Sequence, residues 1–532
     1  MERRRKFWGW GYEDERITPD ERDAMAAVTQ FYLPGFTPTP RDEPSIEAVA
    51  LAAPRVVPAA SLAPLFSADP WERAAHTYGK STRDIVRGIE GDFRAAPDWV
   101  ALPRDEADVA RVLDWCSSNR VAVAPFGGGT SVVGGVEIGR VRDAYAGTVS
   151  LDLRHLNRVL EVDPISRAAR IQGGTLGPDL EDQLRPHGLT LRHFPQSFAL
   201  STLGGWLATR AGGHFATLYT HIDDLVESTR LVTPAGVMES RRLPGSGAGP
   251  SPDRAVLGSE GALGVITEAW MRVQPRPIYR GQATVRFLQG AQACRMLSQS
   301  GLYPANCRLI DATEAMLNGV GDGSFAMLVL GFESADHPLG AWMARAVELC
   351  RDAGGEVPDK AIKLSGGADD ARDSAASGWR DSFLRAPYLR DVLILLGVIA
   401  ETFETATTWD RFEQFHGAVM EAGRRALEQT CGGGRMTCRF THVYPDGPAP
   451  YFTILAPGKP GQMVQQWDTV KAAVSEALIA SGGTITHHHA VGRDHRPWYD
   501  RQRPELFGAF LRAGKQALDP AGVMNPGVVV DA

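Results

Sequence analysis

The period of the apolar positions changes along the chain, and that change divides it. "RDEADVARVLDWCSSNR" (104–120) places apolar residues at 109, 112, 113 and 116, the spacing of one helix face. "VAVAPFGGGTS" (121–131) follows as a strand running into a glycine turn. Short β-like runs then recur in "GTVSLDL", "RAARIQGG", "STRLVTPAG" and "GVITEAWMRV", with Gly and Pro between them. This texture predicts an α+β domain over 86–276, and "QPRPIYRGQATVRF" opens a second, α+β domain over 277–490. Residues 1–85 carry Pro-rich spacers ("YLPGFTPTPRDEP", "VVPAASLAP") between polar helical stretches and predict an arm wrapped on a neighbouring domain. Residues 491–532 are expected to form a C-terminal helical segment. The longest apolar window, "VLILLGVIA" (392–400), is far too short to span a membrane and predicts a buried strand or helix.

Bulk numbers narrow the function classes. A chain of 532 residues exceeds what one compact core holds. A net charge of −7 argues against general nucleic-acid binding. Six scattered cysteines without a CxxC pair fit reduced thiols better than a disulfide scaffold or a zinc ribbon. The start, "MERRRKFWGWGYEDERI", is basic but lacks the apolar core of a secretory signal, so a cytoplasmic location is expected. Its tryptophans leave room for contact with a membrane surface, against the plainer expectation of a solvated, partly packed arm.

Three glycine-rich segments carry the first candidate chemistry. In "PFGGGTSVVGG" (125–135), consecutive glycines let the backbone turn several N–H groups to one side, a concavity that suits a pyrophosphate. Thr130 and Ser131 add hydroxyl donors. The pattern is neither a Rossmann GxGxxG nor a P-loop, since no lysine follows. "PQSFALSTLGGWLATRAGG" (195–213) is a second small-residue, hydroxyl-rich loop, and "LGSEGALGVITEAWMRV" (257–273) a third glycine turn running into a strand.

As a set, "PFGGGTS", "STLGGW" and "GSEGALGVITEA" resemble the flavin-binding segments of the vanillyl-alcohol-oxidase type of FAD enzymes. The resemblance implies a two-subdomain FAD-binding (PCMH-type) domain followed by a cap domain over the isoalloxazine ring. It carries cofactor contacts to Pro125, Phe126, Gly127, Gly128, Gly129, Thr130 and Ser131; to Gln196, Ser197, Phe198, Ala199, Leu200, Ser201 and Thr202; to Thr209, Arg210, Ala211 and Gly212; and to Glu260, Gly261, Ala262, Leu263, Gly264, Val265 and Ile266. The family has Asp after the proline where this chain has Gln196. No residue stands out as a covalent flavin anchor, so dissociable FAD is expected.

"THHHAVG" (486–492) divides the superfamily. D-2-hydroxyacid dehydrogenases usually carry a Gly-Glu-His-Gly type segment there, whereas this chain is similar to the alkyldihydroxyacetonephosphate synthase family. "KFWGWGYEDE", "RAAHTYGKSTRDIVR", "PANCRLIDA", "APYLRDVLILLGVIAETFETATTWDRF", "CRFTHVYPDGPAPYF" and "LDPAGVMNPG" carry the likeness nearly end to end. It implies that acyl-dihydroxyacetone phosphate exchanges its fatty acid for a long-chain fatty alcohol. The substitution occurs through a flavin N5 adduct and without net redox. Residue by residue it implies substrate-binding roles for Arg390 and Arg308, acid/base work at Tyr451, and a catalytic cluster of His487, His488 and His489. It implies a homodimer, and the absence of a peroxisomal C-terminal tripeptide keeps the expected location cytoplasmic, with peripheral membrane contact open.

The plainer readings stand beside these. Alternation on a strand would put His487 and His489 on one face and His488 on the other. A metal is not expected, because no carboxylate or cysteine lies at ligand spacing in sequence. Arg390 reads equally as an exposed helix arginine, Arg308 as an ion-pair partner of Asp311, and Tyr451 as a half-buried strand aromatic. Trp206 is expected to pack behind the flavin. The alternative enzyme is an FAD-linked D-2-hydroxyacid (D-lactate-type) dehydrogenase; a non-enzymatic flavin or metal binder would keep Arg390, Tyr451 and the histidines apart.

Overall fold

The structure is a computed structural model that describes residues 3–219, 221–317, 319–366 and 374–531. Helix Glu106–Ser118 forms where the apolar spacing predicts it, with Val109, Val112, Leu113 and Cys116 buried. Asp105 caps it by accepting the Asp108 N–H at 2.8 Å. It packs on a four-stranded sheet of β1 (Phe66–Ser67), β2 (Trp99–Ala101), β3 (Val121–Phe126) and β4 (Gly147–Asp152), in the order β1-β2-β4-β3. β2, β4 and β3 are parallel, so β3 is buried on both faces and delivers the glycine turn at its C-terminal end.

A second sheet is antiparallel. It contains β5 (Val159–Asp163) and β6 (Ala168–Gln172), while the two-residue β7 (Leu189–Thr190) lies in a separate ribbon. β8 (Val226–Thr233), β9 (Gly236–Glu239) and β10 (Val265–Arg272) complete it in the order β5-β6-β10-β8-β9. β11 (Gln274–Pro275) pairs with β7.

The third sheet has seven antiparallel strands: β12 (Tyr279–Phe287), β13 (Asn306–Ile310), β14 (Ala326–Ser334), β15 (Ile362–Gly366), β16 (Val398–Glu404), β17 (Arg435–Val443) and β18 (Pro448–Pro457). Their order is β15-β12-β14-β13-β17-β18-β16. Register sorts the side chains of the last three strands. Phe403, Phe452 and Cys438 are paired across and belong to the apolar core with helices Phe412–Cys431 and Met463–Ala480. The next row, Glu404, Tyr451 and Arg439, is paired likewise and faces the other way, toward the first two sheets. The apolar window at 392–400 serves two elements. It ends helix Ser374–Leu395, turns at Gly397 (φ 85°) and begins β16.

Both chain ends are tied in. Phe7, Trp8 and Trp10 are buried, Phe7 and Trp8 within the same core as Phe403 and Phe452. The arm expected to be solvated and only partly packed is thus packed more fully than that: its aromatic rings lie inside, where their apolar surface is removed from water. At the other end Val523–Asn525 runs beside β3, with the Val123 N–H donating to Val523 O at 2.9 Å and the Asn525 N–H to Val123 O at 2.8 Å. All six cysteines are free and buried. Among the described residues no helix is long and apolar enough to cross a membrane.

Candidate functional site

One cavity of about 230 Å³ lies between the glycine loops and the open face of the seven-stranded sheet. Its first wall is made of backbone. A Cβ on Gly127 would lie 2.2 Å from Thr202 Oγ1, and one on Gly128 2.0 Å from the Leu200 carbonyl oxygen. Gly129 has φ 65°, and its Cβ would meet the Phe126 ring at 2.4 Å. The 197–202 loop thus presses directly on the 127–129 turn, and only glycine permits it. Gly261 (φ 76°) faces the Pro125 ring, where a Cβ would come within 2.8 Å. The three segments form a glycine-rich cradle that offers backbone and the Thr130 and Ser131 hydroxyls to a ligand. That donor set fits the pyrophosphate of a dinucleotide such as FAD.

Of the residues expected to contact the cofactor, Pro125–Ser131, Gln196, Ser197, Ser201, Thr202, Thr209, Ala211, Gly212, Glu260, Gly261, Gly264 and Ile266 line the cavity. The others do not. Phe198 packs on Trp206 with rings stacked at 6.3 Å, and Ala199 and Leu200 lie behind the loop, Leu200 buried with its carbonyl against Gly128. Arg210 turns out to Asp223, donating through Nε at 2.6 Å. Ala262, Leu263 and Val265 are core residues. Trp206 lines the cavity and donates its indole N–H to Ser201 Oγ at 2.7 Å.

The opposite wall carries charge. Arg308 on β13 is buried, and burial together with the neighbouring Arg439 guanidinium pushes it down to about 9. Its proposed sequence partner Asp311 instead accepts the Cys438 N–H at 2.5 Å and the Glu314 N–H at 2.7 Å. Arg439 donates to Glu314 at 2.6 Å and lies 4.2 Å over the Tyr451 ring. Tyr451 is buried, not half-buried, and burial raises its phenol, so it is neutral at pH 7. Arg390, near the end of helix Ser374–Leu395, lines the cavity and donates to Asp391 Oδ1 at 3.2 Å.

The histidines are not on a strand. Residues 487–489 form a bend around Glu404, so the expected strand alternation fails. The Glu404 carboxylate accepts the N–H of His487 (2.6 Å), His488 (3.0 Å) and His489 (2.8 Å), and the Thr486 hydroxyl at 2.5 Å. Burial acts against its charge, but the imidazoles and these donors hold the carboxyl well below its ordinary value. Burial pushes His487 and His488 down to about 3 and His489 to about 4, so all three are neutral at pH 7. His488 and His489 line the cavity, their rings 6.2 and 5.6 Å from that of Tyr451. His487 turns aside, with Nε2 2.8 Å from the Tyr444 hydroxyl and Nδ1 3.1 Å from His488 Nδ1. One of those two facing nitrogens must carry a hydrogen.

Four side chains at or beside the cavity had no place in the sequence reading: Glu404, His442, Arg439 and Asp391. His442 donates through Nε2 to Gly213 O at 2.9 Å, and a Cβ on Gly212 would lie 3.1 Å from its ring. The histidine cluster and the flavin cradle therefore meet at Gly212–Gly213. His442, His487 and His488 also bring one nitrogen each within 4.8 Å of one another, a grouping that sequence spacing concealed. The available signal for Glu404 was a carboxylate inside the apolar strand "VIAETFE".

Comparison with known proteins agrees with this geometry. A family profile described as "FAD binding domain" matches residues 97–240, and one described as "FAD linked oxidases, C-terminal domain" matches 283–529. The alkyldihydroxyacetonephosphate synthase of Dictyostelium discoideum is 32% identical over 476 residues, covering 86% of this chain and 77% of that protein. A solved alkyldihydroxyacetonephosphate synthase structure superposes with a TM-score of 0.77 at 26% identity, covering 98% of both chains. The mitochondrial D-lactate dehydrogenase [cytochrome] 1 of Saccharomyces cerevisiae is 31% identical over 452 residues, covering 81% of this chain and 72% of that one.

Proposed function

The chain belongs to the alkyldihydroxyacetonephosphate synthase family and carries its FAD-binding domain, and on that premise we propose that it exchanges the acyl chain of acyl-dihydroxyacetone phosphate for a long-chain alcohol. In balance, the carbon–oxygen bond to the fatty carboxylate breaks and one to the alkoxide oxygen forms. The alcohol proton is released and nothing is oxidised overall. The observation that carries this reading is the meeting, in one cavity, of a glycine-rich dinucleotide cradle with three arginines, a neutral tyrosine and neutral imidazoles.

FAD, held against residues 127–131, 196, 197, 201, 202, 260 and 261, would supply a covalent attachment point for the substrate carbon. The chain's own residues do the rest. Arg308 and Arg390 are cations suited to hold the phosphate and the departing carboxylate, and guanidinium planes match either group through paired N–H donors. His488 and His489, neutral and facing the cavity, accept the alcohol proton, and Glu404 stabilises the imidazolium that forms. Tyr451, kept protonated by burial, passes a proton to or from the same oxygens. A low-dielectric wall strengthens each of these interactions.

The test is an exchange assay with palmitoyl-dihydroxyacetone phosphate and labelled hexadecanol on the FAD-loaded protein. Labelled ether product that disappears in His488→Ala supports the reading. Flavin bleaching by a D-2-hydroxy acid, with no ether product, would move the protein to the dehydrogenases. A homodimer and peripheral membrane contact belong to the same proposal. Leu506, Phe507 and Phe510 are exposed on helix Glu505–Leu518, an apolar surface open to either role. Sedimentation velocity and liposome flotation separate the two.

A further inference from the structure

Two glycines flank Trp10 in "KFWGWGYEDE", and the structure gives each a reason. A Cβ on Gly9 would lie 2.9 Å from Asp391 Oδ2, and Gly11 has φ 94° with its Cβ position 2.5 Å from the Tyr388 ring. The arm passes close over residues 388–391: a side chain at Gly11 would be strained by its φ as well as crowded, and one at Gly9 would press on the carboxylate oxygen that the Trp10 N–H uses. Between them the Trp10 backbone N–H donates to Asp391 Oδ2 at 2.6 Å, while the other oxygen of the same carboxylate accepts from Arg390 at 3.2 Å. One aspartate thus fixes both the arm and the cavity arginine. Upstream, Arg5 Nη1 donates to the Gly128 carbonyl at 2.5 Å and fastens the arm to the glycine turn.

This clamp delivers the indole to the cavity. Trp10 is 4% exposed and lines the cavity together with Arg390, its ring set edge-on to Tyr388 at 6.4 Å. Among the described residues its Nε1–H has no acceptor, and neither has the Nε–H of Arg390. Buried indole N–H groups almost always have a partner. An arm clamped this closely that presents a buried donor without an acceptor points to a partner that arrives with the ligand.

We propose that Trp10 is a substrate-binding residue whose indole N–H, beside Arg390, donates to an oxyanion of the substrate, either a phosphate monoester or a carboxylate. This rests on the function proposed above. An indole is a donor only, so it discriminates for acceptor oxygens, and being neutral it adds no second cation that would have to be desolvated next to Arg390. It places the N-terminal arm in the active site, although its partner Asp391 is 381 positions away.

The test uses the full-length, FAD-loaded protein and two probes, inorganic phosphate and palmitate, each titrated against the flavin difference spectrum. Trp10→Phe keeps an aromatic ring against Tyr388 and removes the N–H. Losing a hydrogen bond to a charged group raises a dissociation constant about tenfold or more. An increase of that size for phosphate alone assigns the donor to the head group, and for palmitate alone to the leaving carboxylate. KM for the phosphate-bearing ester should rise with the head-group assignment, while that for hexadecanol stays unchanged. Should Trp10→Phe lose FAD, Trp10→benzothienylalanine, which exchanges only N–H for sulfur, takes its place. Both dissociation constants unchanged in a variant with full FAD content, or no binding of either probe to the wild type, overturns the proposal. Neither binding readout requires turnover, so failure of the exchange assay leaves this test intact.

Discussion

Glu404→Gln is the sharpest single perturbation of the site. The side chain keeps its shape but loses its charge and one acceptor oxygen. In the wild type Oε1 accepts from Thr486, His488 and His489, and Oε2 accepts from the His487 N–H at 2.6 Å. A glutamine oxygen can retain one of these sets, and its NH2 then faces a donor. The charge lies 3.5 Å from His488 Nδ1, 3.8 Å from that of His489 and 4.0 Å from that of His487. At about 4 Å and an effective dielectric near 20, a unit charge contributes about 4 kcal/mol to an imidazolium. Allowing up to half of that for relaxation of the loop leaves about 2–4 kcal/mol, or about 30- to 1,000-fold in rate. The assay is kcat/KM for hexadecanol incorporation, normalised to flavin absorbance so that lost cofactor does not pass for lost catalysis. A Glu404→Gln enzyme with full FAD content and kcat/KM within about threefold of wild type would refute the assignment of the carboxylate to the imidazoles.

Other outcomes follow from the same geometry. Gly128→Ala places a methyl 2.0 Å from the Leu200 carbonyl oxygen, so the purified variant should be colourless, with flavin absorbance near zero at a circular dichroism spectrum like that of wild type. FAD should be released on acid precipitation into a yellow supernatant, since the cradle segments carry no histidine, cysteine or tyrosine; a yellow pellet contradicts this. His193 and His495 are pushed down to about 3 by burial. Their unfolded forms gain protons below about 6.5, so stability is intact above that pH and is lost on acidification at up to about 1.4 kcal/mol per pH unit for each. Glu260, raised to about 7, works the opposite way between about 4.5 and 7, but as one group against these two and the likewise depressed His487, His488 and His489. Denaturant midpoints should therefore fall from pH 6.5 to 4.5, and a flat profile would contradict the buried neutral state of these histidines.

Features set by local contacts were legible in the sequence. Helix Glu106–Ser118 follows from four apolar positions, and the glycine turn after β3 from the residues themselves. The carbonyl and hydroxyl that demand those glycines belong to Leu200 and Thr202, which lie in the second loop already recognised by its own composition. The departures from expectation have the opposite origin. Strand alternation fails at 487–489 because Glu404, 83 residues upstream of His487, gathers three successive N–H groups and bends the chain. Nothing near "THHHAVG" in sequence carries that carboxylate. Arg210, Leu263 and Val265 were assigned to the cofactor because they sit inside a motif. Local geometry sends Arg210 out to Asp223 and the two apolar residues into the core. The burial of Trp10 was not legible, because the contacts that hold its flanking glycines come from Asp391 and Tyr388, far along the chain.

The same distant carboxylates explain how two halves of the chain share one site. Glu404 belongs to the seven-stranded sheet and Glu260 to the third glycine segment of the cofactor cradle. Residues 487–489 donate their N–H groups to the first, and Val491 and Gly492 donate theirs, both at 2.8 Å, to the second. Between the two, Ala490 takes φ 75°, and Gly492, at φ 54°, lies where a Cβ would meet the Val133 carbonyl oxygen at 2.0 Å. The histidine segment is thus strung between a carboxylate from each half, with a tight contact to the glycine loop region at one end. Imidazole placement relative to the flavin cradle is set by both ends, since moving either carboxylate shifts the backbone that carries the rings. A Glu260→Ala change therefore removes no histidine contact, yet it frees two buried N–H groups and the downstream anchor of the segment. Catalysis should suffer in that variant before stability of the seven-stranded sheet does, because the sheet's own core of Phe403, Phe452 and their helices is untouched.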